Sequence, residues 1–538
     1  MRMSEGWIAA QGVFAAKSAE FAQALLRPKL AQERLLGALV RRNRATAFGR
    51  EHGFADIQDW ADYRARVPIR KYEDFAPYIA RILAGEAAVL TSDPIEFVEQ
   101  TGGSSGGSKS IPFTRMAIDG FLAALHPWMD DLISRRPGIR SGRGYFALSP
   151  VGRTGHESVG KLRLGSGDNF TFFGEAKPFL NQISLVAMPI SRISDLEEWR
   201  FLTCLYLLSA EDLSFIWVWS PTYITTLLST MRRNCERLVS ALAQGIDLPV
   251  PDGKKGRFVI PANPERARQV ERSLTSGAVD TMRLWPRLDT ISCWMDAASA
   301  SFGAELKILF PHVYFQPKGL ISTECALSFP YTSSEEHVLA LLSTFAEFID
   351  EAGESALFFE VKKGNRYRIV ISTHSGLYRY DTGDIVEISG FLGLTPTLRF
   401  VGRGGISSDL CGEKLTDEFL SRCLGELALL PGQCAFVAPS EEQRPPRYIL
   451  FLDALETSRP REISDQLELC LSRNPQYAYA RSLGQLAPLE VWPIVNLMEK
   501  YMNFALAGGR LISGLKVPAL APKLGSDWVD YLRSSGAG

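Results

Sequence analysis

The chain has 538 residues, 46% of them hydrophobic and 22% charged, with a formal net charge of −1. That balance belongs to a globular protein with a large core and excludes intrinsic disorder. Without a basic surplus, charge gives no reason to expect nucleic acid or an anionic membrane as a partner.

Length suggests about three domains, although α/β enzymes can place roughly 300 residues or more in one body. The eight cysteines include no C-x-x-C pair and the six histidines no H-x-x-x-H pair. The first set reads as reduced, mostly buried thiols of a cytoplasmic protein, and neither suggests a zinc site. Residues 1–26 mix apolar positions with Glu5, Gln11, Lys17, Glu20 and Gln23 and lack the form of a signal peptide. No stretch reaches the roughly 18 uninterrupted apolar residues of a membrane span, which predicts a soluble protein.

In chain order, residues 6–47 have amphipathic spacing broken at Arg27-Pro28 and predict two helices packed across the main body. Short helices follow over 56–90, punctuated by Pro68, Pro77 and Gly85, with no evident chemistry. The strand-like Ile95–Val98 then leads into Thr-Gly-Gly-Ser-Ser-Gly-Gly-Ser-Lys at 101–109. Four glycines let backbone amides turn toward an anion, Ser104 and Ser105 add hydroxyl donors beside Gly106, and Lys109 adds a mobile cation. A glycine-rich linker has similar composition, but a strand before and Ile-Pro-Phe-Thr after favour a phosphate-binding loop. The stretch is one residue from a Walker A loop; Ser108 stands where the second glycine belongs, and Pro112 would fall inside the first turns of the required helix.

Residues 113–133 predict a helix containing a core His126. Apolar segments at 144–149 and 214–219 predict buried strands separated by helices such as 196–209, and Trp217, Trp219 and Tyr223 line either an acyl pocket or ordinary core. Residues 249–268 read as an exposed excursion. A strand over 288–294, a helix to about 309 and an apolar run ending in Ser322-Thr323-Glu324 follow. The two hydroxyls can donate to phosphate and the carboxylate can hold Mg²⁺ through one oxygen; a polar cap on a strand accounts for them equally well.

Asp384–Ile388 and Thr397–Val401 have strand character around a turn at Ser389-Gly390 and a looser loop over Gly393–Pro396. Asp384 and Arg403 are thereby expected at opposite ends of a hairpin-like unit, able to face one cleft. A carboxylate there can accept both hydroxyls of a ribose, and a guanidinium can fork onto sugar or phosphate oxygens. Two surface residues ending two strands are the alternative. Beyond it, Thr416 caps a helix to Leu430, and strands at 434–438, 447–453 and 488–495 with a helix at 461–473 predict a compact α+β unit.

The ordered set of three motifs, 102–109, Ser322-Thr323-Glu324, and Tyr378-Arg379-Tyr380 through Asp384 with Arg403, resembles the GH3 family of acyl acid amido synthetases within the adenylate-forming superfamily. The likeness spans about residues 40–520. It implies an α/β fold with a large N-terminal domain of mixed sheets and helices over 1–404 and a smaller, mobile α+β cap over 405–538. It also implies ATP and Mg²⁺ as cofactors, with Ser104, Ser105, Gly106, Lys109, Ser322, Asp384 and Arg403 on the nucleotide, Thr323 and Glu324 in catalysis, and Glu324 on the metal. Lys516, near Gly514-Leu515-Lys516-Val517-Pro518, matches the family's active-site lysine; without the resemblance it would read as an exposed lysine before a proline.

Two departures stand out. Leu320 occupies the place of the aromatic that stacks on adenine, and Gly404-Gly405 occupy that of the usual hinge acid or lysine. Glycines tolerate large φ/ψ changes, so a hinge is retained by another residue type.

The implied reaction is activation of a carboxylic acid followed by transfer to an amine, an amino acid by the resemblance. An acyl-CoA ligase, or a nucleotide-binding protein without turnover, fits the same residues. The expected partners are small molecules, with no nucleic acid or membrane and a monomer favoured. The acid, the amine and the acyl pocket are not legible in the sequence.

Overall fold

The strands Leu213–Trp217 and Thr290–Cys293 are buried at every position, as a parallel sheet covered on both faces requires. They form the middle of a four-stranded parallel sheet, in the order Tyr314–Pro317, Thr290–Cys293, Leu213–Trp217, Arg143–Phe146. In an open α/β sheet the crevice outside the carboxyl ends of the strands is where ligands bind. Here those ends lead into Lys318, Trp294, Trp219 and Ala147. The computed structural model describes residues 3–102, 108–147, 158–166, 169–186, 190–191, 193, 195–250, 256–275, 279–296, 299–332, 336–442, 444–454, 459–508, 515–522 and 524–534.

The two N-terminal helices are Met3–Leu26 and Pro28–Asn43. They divide at Arg27-Pro28 because proline fits the first turn of a helix but not its interior. Pro77, expected to punctuate short helices, does not interrupt one, and Pro127 sits inside the helix expected over 113–133. Pro77 lies inside Tyr72–Leu83 and Pro127 inside Arg115–Arg135, where surrounding burial outweighs the lost hydrogen bond. His126 is a core residue, with Nε2 3.1 Å from the Phe173 carbonyl oxygen.

Ile95–Gly102 and Ser108–Thr114 pair antiparallel, with Pro112 opposite Val98. A strand rather than a helix therefore leaves the glycine-rich loop, which rules out a P-loop. The second large sheet has seven strands and contains the pair Tyr380–Leu392 and Thr395–Arg403. Its turn is at Gly393-Leu394 rather than Ser389-Gly390. At the latter the ladder only shifts register, and a Cβ at Gly390 would stand 3.1 Å from the Glu336 carboxylate. The stretch read as an exposed excursion contains the hairpin Ile246–Pro249 with Arg257–Ile260 and the start of the helix Pro264–Thr275.

After Arg403, the capped helix Asp417–Gly425 is shorter than expected. The strands Ala435–Ser440, Arg447–Asp453 and Glu490–Ile494 form a three-stranded sheet. One face has its own core around Leu420, Leu450, Leu467 and Tyr477. The other, with Phe436, Phe451, Tyr501 and Trp528, continues the core packed around the four-stranded parallel sheet and the helices Leu196–Ser209 and Pro221–Arg233, and Thr226 Oγ1 and Met502 Sδ meet at 3.4 Å across that seam. No helix among the described residues is long and apolar enough to cross a membrane.

Candidate active site

The hairpin does not hold its two predicted site residues at opposite ends: its antiparallel strands bring Asp384 into direct register with Arg403 at the end away from the turn. Arg403 Nε donates to Asp384 Oδ1 at 3.0 Å. Asp384 is only 6% exposed; burial pushes its carboxyl upward, against the pull of Arg403 and Lys516. The same carboxylate raises the already high proton affinity of Arg403. The pair is thus a charged carboxylate and guanidinium with a shared, partly shielded face, the arrangement that can take a vicinal diol.

Ser322, Thr323 and Glu324 do not end a strand. They sit in a tight turn, closed by the bridge between Ile321 and Ala326 and by the Ser322 amide donating to the Cys325 carbonyl at 2.9 Å. Gly319 enters this turn so close to the backbone of Ser328 that a Cβ would lie 2.0 Å from its carbonyl oxygen, so only glycine fits there. Glu324 is buried and its Oε1 accepts the Tyr380 hydroxyl at 3.3 Å. That hydroxyl in turn accepts from Lys109 Nζ at 3.1 Å. Lys109 also stands 5.4 Å from the centre of the Tyr72 ring, while the Tyr72 hydroxyl accepts from the Ser110 amide at 2.7 Å. A line from phosphate loop to Lys109, Tyr380, Glu324 and the second motif is therefore continuous. Ser104, Ser105 and Gly106 belong to 103–107, outside the described residues.

Lys516 reaches the same cleft from the chain's far end. Leu515 and Val517 on either side are buried against Tyr501 and Trp528, so an extended backbone turns the lysine the other way. Its Nζ lies 4.2 Å from the centre of the Trp294 ring and 5.4 Å from that of Phe400. The side chain touches solvent yet protein surrounds it on most sides: burial lowers its proton affinity, Asp384 and Asp296 oppose that, and Arg403 adds to it. The tail continues along the edge of the three-stranded sheet, where the Val437 amide donates to the Ala519 carbonyl at 2.9 Å.

Several residues of the cleft carried no signal in the sequence. Trp294 and Asp296 follow the carboxyl end of Thr290–Cys293, and Lys318 follows that of Tyr314–Pro317. Lys318 is fully enclosed, with Nζ 3.2 Å from the centre of the Trp217 ring, 4.9 Å from Trp128 and 5.0 Å from Trp219. It donates to Ser292 Oγ at 3.2 Å, and burial holds its proton affinity well below the usual lysine range. The tryptophans thus form core around a buried amine, and Trp219 meets Trp294 at 5.5 Å on the cleft side. Only their position at the ends of parallel strands could have pointed to these residues.

Arg379, within the ribose motif, faces away from the cleft. Its Nε donates to both oxygens of Glu347, at 3.2 and 3.0 Å, and its Nη1 to the carbonyl of Val67 at 2.8 Å.

Comparisons with known proteins follow this geometry. Profiles of the GH3 family N-terminal, central and C-terminal domains match residues 17–315, 337–403 and 430–524. The indole-3-acetic acid-amido synthetase GH3.8 of Oryza sativa subsp. indica is 24% identical over 90% of this chain and 87% of its own. GH3.15 of Arabidopsis thaliana, of the same description, is 23% identical over 91% and 90%. A solved GH3.15 acyl acid amido synthetase superposes with a TM-score of 0.83 at 20% identity, covering 96% of this chain and 95% of that one. A 2-hydroxyisobutyryl-CoA ligase in its postadenylation state shares the fold at a TM-score of 0.57 and 14% identity, over 95% and 93% of the two chains. With the N-terminal profile alone covering more than half of the sequence, the chain belongs to the GH3 family.

Proposed function

We propose that the protein activates a carboxylic acid with ATP and passes the acyl group to the amine of an amino acid, forming an amide and releasing AMP and pyrophosphate. The observation that carries this reading is the meeting of Lys516 with the Asp384–Arg403 pair in one cleft, outside the carboxyl ends of the parallel strands. The relatives' description as amido synthetases supports the amine as acceptor.

Asp384 holds the ribose hydroxyls and Arg403 forks onto sugar or phosphate oxygens. Ser104, Ser105, Gly106, Lys109 and Ser322 hold the phosphates. The acid's oxygen attacks the α-phosphorus and pyrophosphate leaves. Thr323 donates to the phosphate oxygens as charge builds on them, and Lys516 neutralises that charge from the opposite side. The chain forms no covalent bond; alignment and charge stabilisation lower the barrier.

Among the described residues no group of three or more histidine, cysteine or acidic side chains could cage a metal. A lone buried carboxylate such as Glu324 nevertheless fits Mg²⁺, which is commonly held by one or two carboxylates together with substrate phosphates and water. Bound there, the ion would supply further charge neutralisation on the phosphates. Residues 405–538 act as the mobile cap. Gly383 (φ 74°) and Gly405 (φ 85°) flank its root, and the Gly404 amide donates to the Gly383 carbonyl at 2.6 Å. Rotation about Gly404-Gly405 withdraws Lys516 and admits the amine, parting the apolar seam at Met502 as it does so.

The test is acid-dependent exchange of labelled pyrophosphate into ATP over aryl, indolyl and fatty acids, for the wild type and Lys516→Ala. Exchange is expected to require a particular acid and to fall about 100-fold or more in the variant, the scale of losing one charge-stabilising donor. Product mass with amino acids or CoA then identifies the acceptor. A thioester would make the protein an acyl-CoA ligase, and ATP binding without exchange would make it a non-catalytic nucleotide binder.

A further inference from the structure

Nucleotide binding leaves one acidic side chain of the cleft without a task. Asp296 lies just beyond the carboxyl end of Thr290–Cys293, two residues past the Trp294 ring on which Lys516 rests. Charged and titratable groups face it from three directions. Lys516 comes from the tail, Arg399 from the strand Thr395–Arg403, and His337 from the strand His337–Leu339, with Nδ1 3.8 Å from Asp296 Oδ2. His337 is buried and its proton affinity is pushed down to about 4, so at neutral pH it presents a neutral ring rather than a cation. Asp296 itself keeps 30% of its side chain open to the cleft.

We propose that Asp296 is the base that receives a proton from the ammonium group of the incoming amino acid in the second half-reaction. This rests on the amide-forming reading above. An ammonium group has no lone pair and cannot attack a carbonyl, so a proton acceptor must stand where it arrives. Burial raises the Asp296 carboxyl to about 6, against the pull of Arg399 and Lys516. It is therefore anionic at neutral pH yet a stronger base than an exposed aspartate. In the arrangement with Lys516 in the cleft, an alkylammonium already lies within Coulombic reach of it. Withdrawal of that lysine removes an opposing charge, which raises the basicity of the carboxylate and leaves an anion exposed to a second alkylammonium, that of the substrate.

The step balances as follows. The ammonium gives one proton to Asp296. The freed nitrogen pair forms the C–N bond at the acyl carbon, the bond from that carbon to the phosphate oxygen breaks, and AMP leaves with the electron pair. The second nitrogen proton passes to the departing phosphate, and Asp296 returns its proton to water.

The experiment compares wild type with Asp296→Asn and Asp296→Glu in three assays, using the acid that supports exchange. These are pyrophosphate exchange, amide formation with a mixture of the twenty amino acids, and hydroxamate formation with hydroxylamine, which is largely unprotonated at neutral pH and needs no base. In Asp296→Asn, exchange and hydroxamate formation are expected to stay within about threefold of wild type, while amide formation at pH 7 falls about 100-fold. The loss should shrink as pH rises and free amine accumulates, and Asp296→Glu should restore part of the rate. Amide formation near the wild-type rate, or a parallel fall in hydroxamate and amide, overturns the assignment. Loss of exchange in a folded variant also overturns it, placing Asp296 in the first half-reaction. Asp296→Ser serves for the same comparison should the Asn variant fail to fold. A wild type that exchanges pyrophosphate but makes no amide would instead overturn the amide-forming reading, and this assignment with it.

Discussion

Replacing Glu347 by Gln should destabilise the protein by about 3–5 kcal/mol, the cost of leaving a buried charge without its partner. Glu347 and Arg379 are 1% and 5% exposed and meet at 3.0 Å. Both make further bonds: Glu347 Oε1 also accepts from Trp60 Nε1 at 3.2 Å and Ser355 Oγ at 2.8 Å, and Arg379 Nη1 donates to the carbonyls of Arg64 and Val67. Glutamine keeps the shape and one acceptor but leaves the guanidinium uncompensated in a place water does not reach. Arg379 also has φ 48°, a left-handed conformation that costs a non-glycine residue roughly 1–2 kcal/mol and that the pair holds in place. The expected loss is a fifth or more of an ordinary stability of about 5–15 kcal/mol. It should appear as a lower urea midpoint with an unchanged slope for the transition that includes the seven-stranded sheet. Tyr380 follows Arg379 directly, so the ATP concentration needed for exchange should rise as the Lys109–Tyr380–Glu324 line loosens. Glu347→Leu combined with Arg379→Met should cost less than Glu347→Gln alone, since no charge remains to be stranded. A Glu347→Gln loss below about 1 kcal/mol, the range of an exposed pair, would refute the reasoning.

Lys318→Met should stabilise the protein, and more at pH 6 than at pH 9. The folded state binds the Lys318 proton more weakly than the unfolded chain does, so between the two proton affinities the unfolded state carries the extra proton and wild-type stability rises with pH. Each tenfold weakening corresponds to about 1.4 kcal/mol; thermal melts at the two pH values measure it, and an equal gain at both would mean that Lys318 is charged and that its three tryptophans compensate for burial. Leu320→Tyr should lower the ATP concentration for half-maximal exchange about tenfold, because stacking an aromatic on a base contributes roughly 1–3 kcal/mol. An unchanged ATP dependence would place adenine away from residue 320.

That Asp384 and Arg403 share a cleft was legible because two strands joined by a short loop keep their residues close, but their direct register was not, since it depends on where the turn falls. The turn itself was misplaced. Ser389-Gly390 has turn chemistry, but burial alternates almost unbroken through Leu392, and the strand absorbs the pair as a register shift. In the ribose motif, composition could not separate roles. Tyr380 and Arg379 are adjacent, yet one bridges to Glu324 and the other ties Val67, at the end of the short helix Trp60–Arg66, to the sheet. Trp294, Asp296 and Lys318 were silent because nothing within either segment marks them; they converge only when Thr290–Cys293 and Tyr314–Pro317 lie parallel and end at the same level.

Lys516 shows how far a sequence reading reaches without a fold. As one residue before Val-Pro it reads as an exposed lysine, and only the family resemblance marks it as a candidate for the active site; in the structure it is both open to solvent and directed at the cleft. Leu515 and Val517 anchor the backbone by burial, and the tail after Pro518 is tied to the three-stranded sheet. The only freedom left to the lysine is toward the cleft, where water and the carboxylates of Asp384 and Asp296 share it. The Lys516 carbonyl accepts from Tyr501 Oη at 3.4 Å, so the lysine is tied to the helix Leu497–Ala507. In the proposed reaction its approach would favour the step in which negative charge builds on phosphate, and its departure would leave Asp296 the stronger base. If both steps occur in this cleft, one movement of the tail serves them in sequence, and the lysine acts on the second by leaving.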